Sequence, residues 1–190
     1  PEIYLAVDGD GKVTGFNGHV DLGTGIRTAL AQIVAEELDV AFDDVTMVLG
    51  TTTIAPDQGP TIASETIQVT ARPLRLAAAS ARQHLLVHAA AWLKVPAAEL
   101  SVENGVVLHA DAGSVSYGAL VRGQPARIDI DADIAPKKVR DYRIVGQSQK
   151  RTDIAAKATG SWTYVHDVRV AGMLHGRVIR PPYVGFDHGE

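Results

Sequence analysis

Apolar positions at the start of the chain follow a period of two. Ile3, Leu5 and Val7 alternate with polar or small residues, and Gly9-Asp10-Gly11-Lys12 then leads into a second apolar run over 13–20. This pattern predicts a β-hairpin. The period changes after a glycine-rich turn. Ile26, Ala29, Leu30, Ile33, Val34 and Leu38 fall at the i, i+3, i+4 spacing that lines one face of a helix, predicted to end near Asp39. Residues 45–49 read as a strand, expected in a second layer. The predicted core sets Ile26, Leu30, Ile33 and Val34 against Leu5, Val45 and Val48. A long helical stretch follows the polar loop 50–60 and runs to about Leu93. Alanines at 77–79 and 89–91 raise its propensity, and Pro73 is expected to kink or break it. Residues 100–103 and 106–109 flank Asn104-Gly105, a hairpin signal, and 114–122 reads as a short helix capped by Ser116.

Beyond residue 122 the pattern loosens. Pro125, Pro136 and the charged stretch 137–141 read as a surface linker or crossing segment. Trp162, Tyr164 and Val165, then Met173, Leu174, Val178 and Ile179, predict two strands joined at Ala171-Gly172. The fold class expected is α+β: a mixed sheet with two long helices packed on it, followed by the start of a second β-rich segment. The domain division expected is 1–122, a linker over 123–159, and a new domain opening at 160–190. Pro1 already stands at the start of a strand and Glu190 follows a newly begun apolar segment, so a longer parent chain is expected.

Composition narrows the chemistry. The 190 residues include no cysteine, which removes disulfides, thiolate metal ligands and cysteine nucleophiles from this chain. A net charge of −4 argues against a nucleic-acid surface. No apolar run approaches the ~18 residues of a membrane span, and no secretory signal is visible.

Candidate chemistry gathers at two loops. Gly23-Thr24-Gly25 feeds the first helix at its N-terminus, where unpaired N–H groups can cradle an anion or cofactor. A strand-to-helix turn that binds nothing has the same signature. In the second loop Thr61, Ser64 and Thr66 supply hydroxyls where the long helix begins, and Thr61 or Ser64 could equally be its N-cap. His84 and His88 are four apart with no third ligand near in sequence, so a solvated helix face is expected rather than a metal site. No catalytic triad or acid–base pair stands out.

Three stretches carry a family resemblance: VDLGTGIRTALAQIVAEELDV, PDQGPTIASETIQ and ATGSWTYVHDVRVAGMLHGRVIRPPY. Together they resemble the large, molybdopterin-binding subunit of the xanthine oxidase family of molybdenum hydroxylases. The branch matched is that of the isoquinoline 1-oxidoreductase β subunit and the nicotinate dehydrogenase large subunit. The last stretch resembles the opening of that family's hammerhead domain, which here follows the cofactor loops as it does in the isoquinoline-type branch. The resemblance implies that two loops wrap the pyranopterin. Leu22, Gly23, Thr24 and Gly25 match the first. Pro60, Thr61, Ile62, Ala63, Ser64 and Thr66 match the second, with Thr61, Ala63, Ser64 and Thr66 taken as its binding positions. Thr24 stands where the family usually has glutamine, and Asp21 where it has glutamate.

The activity implied is hydroxylation of an N-heteroaromatic or aldehyde carbon with oxygen from water. The cofactor implied is molybdopterin with molybdenum, in its cytosine dinucleotide form, in the intact protein. The partners implied are the remainder of the large subunit, a small [2Fe-2S] subunit and a small heterocycle or aldehyde substrate. The family's general-base glutamate lies in a part of the subunit that this chain does not include, so no catalytic residue is expected here and the fragment alone is expected to be inactive. The compartment expected is the cytoplasm, with the periplasm as the alternative. The rival reading is a non-catalytic α+β scaffold domain whose loops are only caps and turns.

Overall fold

The structure is a computed structural model that describes residues 3–180. It divides into two compact units, Pro1–Thr152 and Asp153–Glu190. In the first, β1 (Leu5–Val7) and β2 (Val13–Asn17) form the expected antiparallel hairpin. Its turn closes where Asp8 N–H donates to the Lys12 carbonyl at 2.9 Å and Gly11 N–H to the Asp8 carbonyl at 2.8 Å. Helix α1 (Ile26–Leu38) follows and ends on Asp39, whose left-handed backbone turns its N–H back onto the Ala35 and Glu36 carbonyls.

Strand β3 (Val45–Leu49) does not form a second layer. It pairs in parallel with β2, from Val13↔Val45 to Asn17↔Leu49, giving the mixed sheet β1-β2-β3. Parallel neighbours need a long crossover, and α1 supplies it. The period of two also corrects one core residue. Val45 and Met47 are buried beneath α1, whereas Val48 is on the other face. Gly15 faces Met47 across the ladder, and a Cβ there would run into the Met47 sulfur and approach Val34. The helix therefore sits tightly on the sheet.

Helix α2 (Ala71–Leu93) reaches the predicted end but starts differently. A π-helical turn, Thr66–Thr70, precedes it, and Pro73 lies in its first turn. Proline has no N–H to donate, and its ring crowds the carbonyl four residues back. At the first α-helical turn, directly after the wider π turn, neither property breaks the helix. Neither Thr61 nor Ser64 caps it with a side chain. Leu30, Val34 and Leu38 of α1 share one buried core with Leu74, Ala78, Ala81 and Leu85 of α2 and with Val13, Val45 and Met47 of the sheet.

A second sheet, β4 (Ser101–Glu103), β5 (Val106–His109) and β6 (Gly113–Ser116), is an antiparallel meander. The Asn104-Gly105 hairpin is present. Strand β6, however, takes the first part of the stretch expected as helix, because Val115 is buried between exposed Ser114 and Ser116. Helix α3 is only Tyr117–Val121, and Ser116 caps it as expected, accepting from Ala119 N–H at 3.1 Å. Tyr117 is fully buried and donates its hydroxyl to the Leu38 carbonyl at 3.0 Å, while Gly105 N–H reaches the Asp39 carbonyl at 2.8 Å. Tyr117 and the turn between β4 and β5 thereby satisfy carbonyls of the last residue of α1 and of its C-cap.

The stretch 123–152 has little regular structure but is firmly held. Glu36, 1% exposed, takes the N–H groups of Arg143, Ile144 and Val145 on one carboxylate oxygen at 2.9, 2.6 and 2.9 Å. Its other oxygen accepts from Lys137 at 3.1 Å, and Gln32 donates to the Ile144 carbonyl at 2.9 Å.

In the second unit the two strands expected over 160–180 are absent from the described residues. The chain forms a short helix, α4 (Ile154–Ala158), and a 3-10 turn at Val165–Asp167. A strand needs a neighbour for its N–H and C=O groups. Here Asp167 instead accepts the Tyr164 N–H at 2.9 Å, and Arg169 caps the His166 and Val168 carbonyls. The apolar residues expected to face a sheet are exposed, Leu174 at 94%. Pro181-Pro182, expected to end the second strand, lies outside the described residues. Among the described residues no helix is long and apolar enough to cross a membrane.

Candidate functional site

The two candidate loops are built from the end of β2 and the approach to α2. Asn17, the last residue of β2, is completely buried. Its side-chain amide donates to the Thr70 hydroxyl at 3.0 Å, and its carbonyl oxygen accepts the His19 N–H at 3.0 Å. Gly18 N–H donates to the Gln58 side-chain oxygen at 2.8 Å. A Cβ on Gly18 would collide with the Pro56 carbonyl oxygen, so the two segments approach backbone to backbone.

His19 is 1% exposed and spans both segments. Its Nδ1 lies 2.8 Å from the Thr66 hydroxyl and its Nε2 lies 3.3 Å from the Gln58 carbonyl. A carbonyl can only accept, which assigns the proton to Nε2 and leaves Nδ1 to accept from Thr66. Val20 N–H then donates to the Thr61 hydroxyl at 3.0 Å. The first loop and the second are thus bonded at several successive positions.

At the glycine turn the chain does not leave its amides open. Asp21 accepts from Gly23 N–H at 2.8 Å and from Gly25 N–H at 3.2 Å on one oxygen, and from Arg27 N–H at 3.2 Å on the other. The carboxylate occupies the helix N-terminus where an anion would otherwise bind, and its charge would repel a phosphate placed beside it. Arg151 holds the turn from outside, donating to the Gly23 carbonyl at 3.0 Å, and Thr152 N–H reaches the Thr28 hydroxyl at 3.1 Å.

The sequence-predicted positions therefore divide into two groups. Gly25 and Thr66 are buried and Thr61 is partly buried; Thr61 and Thr66 spend their hydroxyls on the opposite loop. Leu22 (70% exposed), Gly23, Thr24, Ala63 and Ser64 face outward. Ala63 and Ser64 both hold left-handed backbone, φ 50° and 58°, an arrangement costly to residues with a Cβ and concentrated at ligand clamps. Space is open where a Cβ would stand on Gly23 or Gly59. The exposed positions pair hydroxyl residues, Thr24 and Ser64, with apolar ones, Leu22 and Ala63, a composition that suits a planar, heteroatom-rich ligand. Among the described residues no three His, Asp or Glu side chains gather into a metal set.

Sequence reasoning missed Asn17, His19, Gln58 and Arg151. A polar residue at the end of an apolar strand was the available signal for Asn17 and His19. Nothing local marks Arg151, which lies far along the chain from the turn it holds. The histidine pair lies elsewhere: the rings of His84 and His88 are 4.3 Å apart. His88 is exposed as expected, but His84 is partly buried on the wall of a cavity of about 830 Å³ between β1, α2 and the stretch 123–130. Burial, and secondarily His88, lowers its pKa.

Residues 2–171 match the family of molybdopterin cofactor-binding domains. The chain is 55% identical to a nicotinate dehydrogenase polypeptide of Pseudomonas putida over 99% of its own length, but this is 16% of that protein. It is 32% identical to the β subunit of isoquinoline 1-oxidoreductase of Brevundimonas diminuta, covering 97% of this chain and 29% of the relative. Among solved structures, quinoline 2-oxidoreductase from Pseudomonas putida 86 superposes with a TM-score of 0.51 at 27% identity, over 62% of this chain and 15% of that one.

Proposed function

The chain belongs to the family of molybdopterin cofactor-binding domains, and from that premise we propose that it forms one wall of the cofactor site in the large subunit of a molybdenum-dependent oxidoreductase. The reaction proposed for the whole protein is hydroxylation of an N-heteroaromatic or aldehyde carbon with oxygen from water. The molybdenum cofactor would supply the redox chemistry, and this chain binding and orientation. Leu22, Gly23, Thr24 and Gly25 of the first loop and Thr61, Ala63, Ser64 and Thr66 of the second are the residues assigned to the cofactor. The observation that carries the reading is the bonding of the two loops to each other through Val20–Thr61 and His19–Thr66, with Leu22, Thr24 and Ser64 left exposed.

In this reading Thr24 and Ser64 hydrogen-bond pterin heteroatoms, and Leu22 packs on its planar face. Gly25 and Thr61 hold the loops in shape. Asp21 already fills the helix N-terminus, so phosphate groups of the cofactor would lie away from that point. The cytosine dinucleotide form, a small [2Fe-2S] subunit and the rest of the large subunit as partners belong to the same proposal. So does the division into a cofactor domain (1–122), a crossing segment (123–159) and the opening of a further domain (160–190).

The test uses the intact, cofactor-loaded protein. Ser64→Ala and Ser64→Gly both remove the hydroxyl, but glycine also relieves the left-handed backbone. Removing a partner from a buried heteroatom costs ~1–3 kcal/mol, so both variants are expected to lose molybdenum and pterin fluorescence roughly 5- to 150-fold faster in mild denaturant. Retention equal to the unsubstituted protein in both would refute the assignment.

A further inference from the structure

The strongest unassigned feature of the molecule is the buried polar bridge beneath the loops. Its members are Asn17, His19, Gln58, Thr66 and Thr70. Asn17, His19, Thr66 and Thr70 are buried, and none of the five carries a formal charge when His19 is neutral. We propose that His19 and Gln58 are positioning residues that set the separation and register of the glycine loop against the Thr61–Ser64 loop. The proposal rests on the cofactor-site reading for its consequence, but not for its geometry.

The geometry is reciprocal. The Gln58 side-chain oxygen takes the N–H of Gly18 at 2.8 Å, while the Gln58 backbone carbonyl faces Nε2 of His19, the next residue, at 3.3 Å. The Gln58 amide nitrogen then donates to the Thr70 carbonyl at 3.1 Å, which also faces the Asn17 amide at 3.3 Å. His19 closes the remaining side through Nδ1 and Thr66 at 2.8 Å. One imidazole thus joins three chain segments: the end of β2, the loop before Gly59, and the first residue of the π turn. The π turn matters because its last residue, Thr70, accepts two side-chain amides on one carbonyl and returns its hydroxyl to the Thr66 carbonyl at 3.0 Å. π turns recur at functional sites because they displace the residues that follow. Here the displacement is pinned from the strand side.

The chemistry selects histidine. A rigid ring with an acceptor at one nitrogen and a donor at the other spans two partners at a fixed distance. A flexible side chain would let that distance vary. Asparagine or glutamine could satisfy one partner, but neither fixes the gap between both. Thr66 acts in this scheme through His19. Its hydroxyl proton is already committed, so its contribution to the ligand is made by placing the backbone of the second loop.

The experiment is carried out on the full-length protein in both cofactor-loaded and cofactor-free forms, with three variants. His19→Ala removes the strut. Thr66→Val removes only its partner hydroxyl at nearly constant volume, and Thr66→Ser restores it. Amide hydrogen exchange is read at 18–25, at 58–66 and, as an internal control, in the β4–β6 meander. The expected result in the cofactor-free form is a tenfold or greater rise in exchange at both loops together for His19→Ala and Thr66→Val. Thr66→Ser should stay within about threefold of the unsubstituted protein, and the meander should be unchanged. If both loops exchange as in the unsubstituted protein in His19→Ala and Thr66→Val, the strut is overturned, whatever happens to the cofactor. A rise that extends equally to the meander overturns it too, since it would mark general destabilisation. Should His19→Ala fail to fold, the Thr66 pair decides the matter by the same criteria. Cofactor release from the loaded form is read separately. Loops that loosen as expected without faster release would uphold the strut and refute the cofactor site above it.

Discussion

Glu36→Gln is the most exacting perturbation of the first unit. The Glu36 carboxylate is buried, accepts three consecutive backbone N–H groups from Arg143, Ile144 and Val145, and faces Lys137. Burial pushes its pKa up. The N–H groups of Ile144, Val145 and Arg143, with Lys137, outweigh that and hold it below the usual carboxylate value. A glutamine keeps an oxygen for the three N–H groups but loses the charge. Hydrogen bonds to a charged group contribute ~1.5–3 kcal/mol each and neutral ones ~0.5–1.5, so three bonds weakened together cost roughly 2–4 kcal/mol. Lys137 retains Asp39, which keeps the loss from growing further.

This cost is local, and amide exchange at 143–145 reads it directly. By the tenfold-per-1.4 kcal/mol conversion, exchange there should accelerate roughly 30- to 700-fold at pH 7, with the β4–β6 meander unaffected. The sign with pH follows from the depressed pKa. The carboxylate's contribution is complete above its unfolded value, near 4.5, and is lost as pH falls through the lower folded value. The ratio of exchange rates between variant and unsubstituted protein should therefore shrink toward one in acid. A change under threefold at pH 7, or a ratio that grows on acidification, would refute the reasoning.

Other outcomes follow from the same packing. Leu30→Ala empties a fully buried site between α1, α2 and the sheet and should lower stability by ~2–5 kcal/mol in denaturant melts; a loss near 0.5 kcal/mol would mean the face is misassigned. Tyr117→Phe leaves the Leu38 carbonyl without its donor and should cost ~1–3 kcal/mol by the same assay; a neutral result would mean that water reaches the end of α1. Thr24→Gln restores the residue common in the resembled family at an exposed position, so cofactor should be retained at least as well, measured by molybdenum content after mild denaturant. A large loss with the fold intact would show a loop rebuilt around threonine.

The elements legible in the sequence were those with local signals. Helix α1 and its end at Asp39, the first hairpin, the Asn104-Gly105 hairpin and the Ser116 cap each follow from period or turn chemistry within a few residues. What depended on distant partners was not legible. Whether 45–49 pairs with β2 or starts a layer is decided by the ladder, and whether 162–165 becomes a strand is decided by the neighbour it lacks among the described residues. The loops were visible as glycine and hydroxyl clusters. Their internal bonds were not, because Asp21 closing its own turn, and His19 joining Thr66 to Gln58, are choices of side-chain direction that spacing does not encode. Arg151 and Glu36 belong to the same class, each linking segments more than 100 residues apart.

The most direct test of the central claim is a crystal structure of the full-length protein with its cofactor bound. The pterin is expected within hydrogen-bond distance of the Thr24 and Ser64 hydroxyls, against Leu22, with Asp21 still capping Gly23, Gly25 and Arg27. A pterin seated on another face of this unit, with both loops in solvent or covered only by protein, would contradict it.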